Sequence, residues 1–239
     1  MTRIRPKVFA IIPAAGSGTR IGGTVKKQFL PLKGKPILVH TLRRFEFCSE
    51  VDEIAVAVPE SAIVEVESLV SRYRLHKVNK VVIGGTMRQD SVGNALLRLD
   101  MKPTDIVLVH DGVRPFVERK RINHLIKMCK EHDAAVLAVQ PKDTVRRSTG
   151  GHFFDQTLDR NALWLIQTPQ AFRAEVLLKA FEKAMQDKFC STDEAALVER
   201  LGIKARIVEG SYDNIKITTA EDLELGTLIL ERWTAKGIE

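Results

Sequence analysis

The chain has 239 residues, of which 44% are apolar and 28% charged, so it is long enough to bury a core without disulfides, and wholesale disorder is excluded. No apolar run approaches the roughly 18 residues of a membrane span, and the N-terminal apolar stretch leads into a turn and not a cleavage site, so we expect a cytoplasmic protein. Because 37 Lys and Arg residues outnumber 30 Asp and Glu residues, the net charge of +7 favours anionic partners without choosing among nucleic acid, acidic membranes and phosphorylated metabolites.

Short apolar runs alternate along the chain with longer stretches of helical spacing. The predicted strands cover residues 8–12, 53–58, 78–83, 105–110, 134–139, 205–208 and 214–217. The predicted helices cover residues 36–47, 61–72 with Ser61 as its cap, 89–99, 118–132, 174–186, 192–201 and 220–233. This alternation predicts an α/β fold, with a mostly parallel, twisted sheet and helices on both faces.

The alternation is interrupted between residues 141 and 164. This segment lacks helical spacing, and Gly150-Gly151 are placed as the turn of a two-stranded arm. An isolated hairpin is marginal in water, so we expect the arm to pack on a second subunit. With no linker elsewhere, residues 1–239 are interpreted as one domain with a projecting arm at about 141–164.

The first candidate binding loop is PAAGSGTR, residues 13–20, directly after the first predicted strand. Its small residues allow close backbone approach to an anion. Ile21 breaks the dinucleotide pattern GxGxxG, and Thr24 stands where a Walker loop needs Lys. A simple strand-to-helix turn therefore remains the alternative.

Three cations accompany this loop, namely Arg20 and the pair Lys26-Lys27. Cations beside a glycine-rich loop suit a triphosphate, because they neutralise the charge that develops during transfer. The alternative for each of them is an ordinary solvated surface.

Two further polar segments follow predicted strands. In HDGVRP, residues 110–115, Asp111 stands where a carboxylate would serve a Mg²⁺ ion that is also bound by phosphate oxygens, with a helix or turn cap as the alternative. In GGTMRQDS, residues 84–91, the glycine pair and Ser91 could contact a base, although Ser91 also suits a helix cap. Further along, Arg160 and Lys216 would suit a phosphate, with surface cations as the alternative.

The three cysteines and six histidines form no CxxC, HExxH or zinc-ligand spacing. We therefore expect reduced thiols and no zinc site.

Nine segments in order carry a resemblance to a known family: PAAGSGTR, KQFLPLKGKPIL, GGTMRQDSV, VHDGVRP, PKDTV, DRNALW, QTPQAF, TDEA and DNIKIT. Together they resemble the 2-C-methyl-D-erythritol 4-phosphate cytidylyltransferases of the non-mevalonate isoprenoid pathway. The ribitol-5-phosphate cytidylyltransferases share some of these segments and remain an alternative, although AAGSGTR and DRNALW are more similar to the erythritol enzymes.

The resemblance implies a Rossmann-like, three-layer α/β/α nucleotidyltransferase fold. It also implies that CMP is transferred from CTP to the sugar-alcohol phosphate by in-line attack on the α-phosphorus, with Mg²⁺ or another divalent cation as cofactor and pyrophosphate as product. The implied catalytic residues are Arg20, Lys27, Arg160 and Lys216. The implied nucleotide-binding residues are Pro13, Ala14, Ala15, Gly16, Ser17, Gly18, Gly85, Arg88, Ser91, Asp111 and Gly112. The implied substrate-binding residues are Arg114, Thr144, Arg160, Thr168 and Lys216, and Asp111 is the implied metal ligand, with the metal held mainly through the triphosphate.

The resemblance further implies a homodimer with exchanged arms, in which Arg160 serves the neighbouring site. One departure is Lys26, where the family usually has Pro. Without the proline this loop is less restrained, so the resemblance fixes the position of Lys27 less closely.

Two other classes of function stay open: a non-catalytic nucleotide-binding module and a basic nucleic-acid binder. Nucleic acid is disfavoured because no recognition motif is found and only two Trp and two Tyr residues are available for base stacking.

Overall fold

The structure is a computed structural model that describes residues 5–16 and 26–238. Its strands, in chain order, are β1 (Val8–Pro13), β2 (Pro31–Leu32), β3 (Lys35–Pro36), β4 (Glu53–Val58), β5 (Val78–Ile83), β6 (Ile106–Val109), β7 (Ala134–Val139), β8 (Arg146–Arg147), β9 (Gln156–Thr157), β10 (Leu165–Arg173) and β11 (Arg206–Glu209). Its helices are α1 (Ile37–Glu46), α2 (Ile63–Arg72), α3 (Arg88–Leu96), α4 (Arg119–His132), α5 (Ala174–Gln186), α6 (Glu194–Glu199) and α7 (Ala220–Ala235).

Seven strands form the central sheet in the order β11-β7-β10-β6-β1-β4-β5. All neighbouring pairs are parallel except the two that involve β10, which runs antiparallel to β6 and to β7. The carboxyl ends of β1, β4, β5 and β6 therefore meet at one edge of the sheet, the edge at which open α/β folds bind ligands.

Helices cover both faces of the sheet, and alternate residues of a strand contact the helices on opposite faces. Ala10 and Ile12 of β1 pack with α1, α2 and α4 in one buried cluster. Ile11 packs with α3, α5 and α6 in a second cluster on the other face. A third cluster joins α7 to Phe116, just beyond β6. The predicted three-layer α/β/α fold is confirmed.

Three sequence predictions differ from the structure. The central strand β10 was not predicted, and it contains Pro169, a residue normally excluded from inner strands because it cannot donate to the ladder. The pairing of β10 with β7 shifts register between Ile166 and Gln170, and this irregularity accommodates the proline. The predicted strand 214–217 is a loop whose Ile217 packs into the third cluster without a strand partner. Ser61 caps no helix, since it lies inside a 3-10 turn, Glu60–Ala62, that precedes α2.

The segment 141–164 contains the short antiparallel pair β8–β9, in which Arg146 lies opposite Thr157. Two adjacent aromatic side chains of this arm lie in solvent, Phe153 at 83% and Phe154 at 64% exposure. None of the helices in the described ranges is long and apolar enough to cross a membrane.

Candidate active site

A cavity of about 480 Å³ lies at the carboxyl ends of β1, β5 and β6. We call it the larger cavity, and its lining residues are Pro13, Ala14, Ala15, Gly16, Lys27, Gln28, Gly85, Thr86, Met87, Arg88, Ser91, Asp111, Val113 and Lys216. The ionised side chains among them are three cations, Lys27, Arg88 and Lys216, and one anion, Asp111. The described wall of this cavity is therefore net positive, which suits a polyanionic ligand.

The loop after β1 is held in place by a buried amide. Gln28 Nε2 donates to the carbonyl oxygen of Ala14 at 2.7 Å, and the Ala14 N–H donates to the Ala57 carbonyl of β4 at 2.7 Å. Because Gln28 directly follows Lys27 in the 3-10 turn Lys27–Phe29, this bond also fixes the segment that brings Lys27 to the cavity.

The glycine pair after β5 allows a close approach between two loops. A Cβ atom at Gly84 would lie 2.4 Å from the Cβ of Ala15, and one at Gly85 would lie 2.2 Å from the Cβ of Asp90. The Ser91 hydroxyl accepts the Gly85 N–H at 3.1 Å and donates to the Met87 carbonyl. Ser91 thus shapes the backbone of the cavity wall at the start of α3.

Asp111 is the most heavily contacted acid of the site. Its Oδ1 accepts from Arg88 Nε at 2.9 Å, and its Oδ2 lies 3.0 Å from Lys216 Nζ and 3.3 Å from Arg114 Nε. Burial alone would raise the pKa of Asp111, but the charges of Arg88, Lys216 and Arg114 hold the pKa well below its usual range. The carboxylate is therefore ionised at any physiological pH.

A second, smaller cavity of about 160 Å³ adjoins the first. Its lining residues are Arg88, Asp111, Arg114, Ile166, Gln167, Thr168, Gln170, Thr192, Asp193 and Lys216. Arg88, Asp111 and Lys216 line both cavities. This shared border brings two binding spaces together at one cluster of charges.

Lys216 reaches this border from a loop that is bonded to the sheet region on both sides. The Ile217 N–H donates to the Val113 carbonyl at 2.9 Å, and the buried Asn214 Nδ2 donates to the Thr168 carbonyl at 2.8 Å. Arg114 Nη1 donates to the carbonyl of Asn214 at 2.8 Å. The packing of this loop, and not a strand ladder, sets the position of Lys216.

A buried histidine, His110, holds Thr168, which lines the smaller cavity. His110 Nε2 lies 2.9 Å from the carbonyl oxygen of Arg114, so this nitrogen carries the proton, and His110 Nδ1 accepts from the Thr168 hydroxyl at 3.0 Å. The Thr168 oxygen in turn accepts the Asp111 N–H at 3.1 Å. Burial lowers the pKa of His110 to about 4, so the ring is neutral at physiological pH. Nδ1 therefore stays unprotonated and can accept the hydrogen bond from Thr168.

The site does not fit a resident metal ion. Within residues 5–16 and 26–238, no group of three or more His, Cys, Asp or Glu side chains comes close enough to hold one. Both Asp111 oxygens already face cations. A divalent cation fits this positive site only when it arrives with the negative charge of a triphosphate.

Comparison with known proteins identifies the family. The model of the 2-C-methyl-D-erythritol 4-phosphate cytidylyltransferase family matches residues 8–232. The chain belongs to this family. A 2-C-methyl-D-erythritol 4-phosphate cytidylyltransferase from Syntrophus aciditrophicus (strain SB) is 44% identical over 230 residues, which cover 96% of this chain and 98% of the relative. The enzyme of the same name from Geobacillus kaustophilus (strain HTA426) is 43% identical over 221 residues, which cover 92% of this chain and 96% of the relative.

Solved structures of the family have the same fold. The crystal structure of 4-diphosphocytidyl-2C-methyl-D-erythritol synthase from Anaerococcus prevotii matches with a TM-score of 0.83 at 32% identity, over 95% of this chain and 97% of that one. The family enzyme from Francisella tularensis matches with a TM-score of 0.79 at 36% identity, over 93% of this chain and 99% of that one.

The structure brings most of the predicted site residues together at the two cavities. Those that line one or both are Pro13, Ala14, Ala15, Gly16, Lys27, Gly85, Arg88, Ser91, Asp111, Arg114, Thr168 and Lys216. Gly112 lies behind the wall, where an added Cβ would lie 2.9 Å from the Cβ of Ala14. Ser17, Gly18 and Arg20 lie outside the described residues. The binding roles of all these residues stay predictions.

Two predicted residues of the arm are not brought to the cavities of their own chain. Thr144 and Arg160 are exposed and line neither cavity, and Arg160 Nη1 donates to the Lys142 carbonyl at 3.0 Å.

The residues of the site region to which the sequence assigned no role include Gln28, His110, Gln170 and Glu194. Each lies inside one of the nine family segments, and all four side chains are buried, although Gln28 lines the larger cavity and Gln170 the smaller one. Their membership in those segments was the available signal, and it gave no role.

Proposed function

We propose that this chain transfers CMP from CTP to 2-C-methyl-D-erythritol 4-phosphate. The observation that carries the proposal is the border between the two cavities, where Arg88, Asp111 and Lys216 face both spaces. A transfer reaction needs two substrates that meet at one charged point, and family membership supports this pair of substrates.

In the proposed reaction, an oxygen of the sugar phosphate attacks the α-phosphorus of CTP. The bond from that phosphorus to the bridging oxygen breaks, and pyrophosphate leaves. The larger cavity would hold the nucleotide between the loop after β1 and Gly85, with Lys27 beside the triphosphate. The smaller cavity would hold the sugar phosphate, for which Lys216, Arg114 and Thr168 offer donors.

The cationic side chains would act mainly by positioning and by charge stabilisation. Two anions must approach one another, and the repulsion between them falls when Lys27, Arg88 and Lys216 surround the reacting phosphates. Asp111 orders Arg88 and Lys216 around itself, so the donors are held before the substrates arrive. A divalent cation that arrives bound to the triphosphate oxygens would further neutralise that group. Because both Asp111 oxygens already face cations, the triphosphate and not Asp111 would supply most of its ligands.

We extend the proposal to a homodimer with exchanged arms. Arg160 lines neither cavity of its own chain, and the apolar side chains Phe153 and Phe154 project from the arm into solvent. Exposed neighbouring aromatic rings favour burial against another protein surface. A second copy of the chain would cover them and would receive Arg160 at its sugar-phosphate site.

A cytoplasmic location belongs to the same proposal. Both substrates are phosphorylated and therefore do not cross membranes unaided. The cysteines Cys48, Cys129 and Cys190 are unpaired, as expected in a reducing compartment.

The deciding experiment measures pyrophosphate release from CTP with methylerythritol phosphate and, separately, with ribitol 5-phosphate. We expect turnover with the first substrate and at most slow turnover with the second. Preference for ribitol phosphate would favour the alternative cytidylyltransferase. Tight CTP binding without release in either case would favour a non-catalytic nucleotide-binding module.

A further inference from the structure

The Glu194 carboxylate is buried beside the two cavities but lines neither of them. Its side chain is 1% exposed, and Arg88 Nη1 donates to both of its oxygens, at 2.6 and 2.9 Å. Arg88 Nε donates at the same time to Asp111 Oδ1 at 2.9 Å. The Arg88 guanidinium therefore lies between one carboxylate at the cavities and one behind them.

Glu194 is attached to the central sheet through its neighbours. The fully buried Gln170 of β10 donates from Nε2 to Asp193 Oδ2 at 2.9 Å and accepts the Ala195 N–H at 3.0 Å. Asp193 also accepts the Ala196 N–H, which closes the first turn of α6. One sheet residue, Gln170, thus holds the residues before and after Glu194 and sets the position of the carboxylate.

This arrangement divides the two oxygens of Asp111. A guanidinium can grip one carboxylate with two parallel N–H bonds. Glu194 holds Nη1 and thereby fixes the orientation in which Arg88 reaches Asp111 through Nε alone and contacts only Oδ1, while Nη2, the nitrogen on the same side as Nε, makes no bond within the described residues. Oδ2 is left to Lys216 at 3.0 Å and Arg114 at 3.3 Å.

Removal of the Glu194 charge would change that division. Arg88 Nη2 is buried and has no hydrogen-bond partner within the described ranges, so the guanidinium gains by turning onto Asp111 with two nitrogens. Arg88 would then compete with Lys216 for Asp111 Oδ2 and displace Lys216 from the border between the cavities.

We propose that Glu194 is a positioning residue for the transfer reaction, which holds Arg88 on one oxygen of Asp111 and so keeps the other oxygen for Lys216. The inference rests on the proposed function, and it assigns a role to a side chain that contacts neither cavity.

The first test is independent of activity and compares Glu194→Gln with wild type in the full-length protein. An amine-reactive reagent, followed by peptide mass mapping, measures the rate at which Lys216 is modified. We expect modification about threefold faster in the variant, the worth of one partly exposed ion pair. Glu199→Gln, at the exposed end of the same helix, is the matched control and should leave the rate unchanged. An unchanged rate in Glu194→Gln would overturn the coupling.

The second test measures turnover with CTP and methylerythritol phosphate, and CTP affinity by calorimetry. We expect Glu194→Gln to lower kcat about 10- to 100-fold, the usual cost of misplaced catalytic groups, and to change the CTP dissociation constant less than about threefold. Glu194→Asp, which keeps the charge on a shorter side chain, should recover part of the lost turnover. Loss of kcat in proportion to lost CTP-binding stoichiometry would show a folding defect only and overturn the proposal.

If Glu194→Gln does not fold, Glu194→Asp decides: reduced kcat at full CTP stoichiometry supports the proposal, and wild-type kcat overturns it. A wild-type protein that binds CTP but turns over neither sugar phosphate would reject the proposed function. The Lys216 modification rates would still decide the coupling between Glu194 and Lys216.

Discussion

Lys216 Nζ lies 3.0 Å from Asp111 Oδ2, although the two residues come from opposite halves of the chain. Asp111 follows β6 in the sheet, whereas Lys216 comes from the loop before α7. Arg88, at the start of α3, completes the cluster from a third direction. The border between the cavities is therefore assembled by tertiary packing from three separate parts of the chain.

Lys27→Ala should lower kcat by about 100-fold or more while CTP affinity changes far less, because charge stabilisation in the transition state appears in the rate. Steady-state kinetics and CTP calorimetry measure the two effects. Lys26→Ala is the control, since Lys26 Nζ donates to the Ser61 hydroxyl and does not line the larger cavity. A loss of only about twofold in Lys27→Ala would contradict a catalytic role.

Divalent metal should bind to this protein only together with the nucleotide. Calorimetry should detect no stoichiometric Mg²⁺ binding in the absence of CTP, because the cavity wall is net positive and both Asp111 oxygens face cations. Turnover should vanish with excess EDTA and return with Mg²⁺. Full activity in EDTA, or one tightly bound Mg²⁺ without CTP, would refute the expectation.

His110 should make the free energy of unfolding depend on pH. The pKa of His110 is lowered to about 4 in the folded protein from an ordinary value of 6.5, so between these values only the unfolded chain takes up the proton. Stability is thus fully present above pH 6.5 and is lost as the pH falls. The loss from this group should reach about 2 kcal/mol at pH 5 and about 3 kcal/mol below pH 4.

Urea unfolding of wild type and His110→Gln between pH 7.5 and pH 5 measures this contribution. The difference in unfolding free energy between the two proteins should shrink by about 2 kcal/mol over that range. His152→Gln, exposed on the arm, serves as the control and should show no such change. A pH-independent difference for His110→Gln would contradict a buried neutral ring.

Lys26→Pro, which introduces the residue that the family usually has at this position, should be tolerated. The backbone at Lys26 has φ −65° and ψ 136°, which a proline ring also adopts, so the exchange should raise stability by roughly 0.5 kcal/mol and change kcat less than about twofold. Lys33→Pro is the contrasting control. Lys33 has φ 49°, which a proline ring cannot adopt, so this variant should be less stable than wild type. Thermal unfolding and kinetics measure both variants, and a large loss of activity in Lys26→Pro would show that the lysine itself is needed.

The inner parallel strands were predictable because they are nearly continuous apolar runs covered on both faces, as Val8–Pro13, Ile106–Val109 and Ala134–Val139 illustrate. Strand β10 was not, since Pro169 breaks the pattern and the register shift that accommodates it depends on the neighbour β7. The alternating segment around Ile215 and Ile217 predicts a strand equally well, but its apolar side chains pack against α7 instead.

The residues of the candidate site also differ in whether the sequence alone could place them. Asp111 could be placed from the sequence because it follows a strand at the ligand-binding edge. Glu194 could not, because its partner Arg88 is 106 residues away and only the folded sheet brings a buried carboxylate to it. Side chains that act through other residues leave little trace in a single sequence.

The arm poses a separate question, which subunit it serves. Arg160 Nη1 is bonded to the Lys142 carbonyl of its own arm and lines neither cavity, whereas Lys216 and Arg114 line the smaller one. If the arm crosses to a partner subunit, each active site combines Lys27 from one chain with Arg160 from the other. Arg160→Lys should then raise the KM for the sugar phosphate and leave that for CTP nearly unchanged, because Lys cannot reproduce the bidentate contact of Arg with a phosphate.

Mixing two inactive variants, Arg160→Ala and Lys27→Ala, gives the sharper measurement. In a mixed dimer with exchanged arms, one site receives both substitutions and the other receives neither, so subunit exchange should restore activity. If each chain supplies its own Arg160, both sites keep one substitution and mixing restores nothing. Differently tagged chains allow the mixed dimer to be purified, and each variant mixed with itself is the control. An inactive mixed dimer whose formation is proven would reject arm exchange, because an intact pair of Lys27 and Arg160 would then be present on different chains without forming a working site.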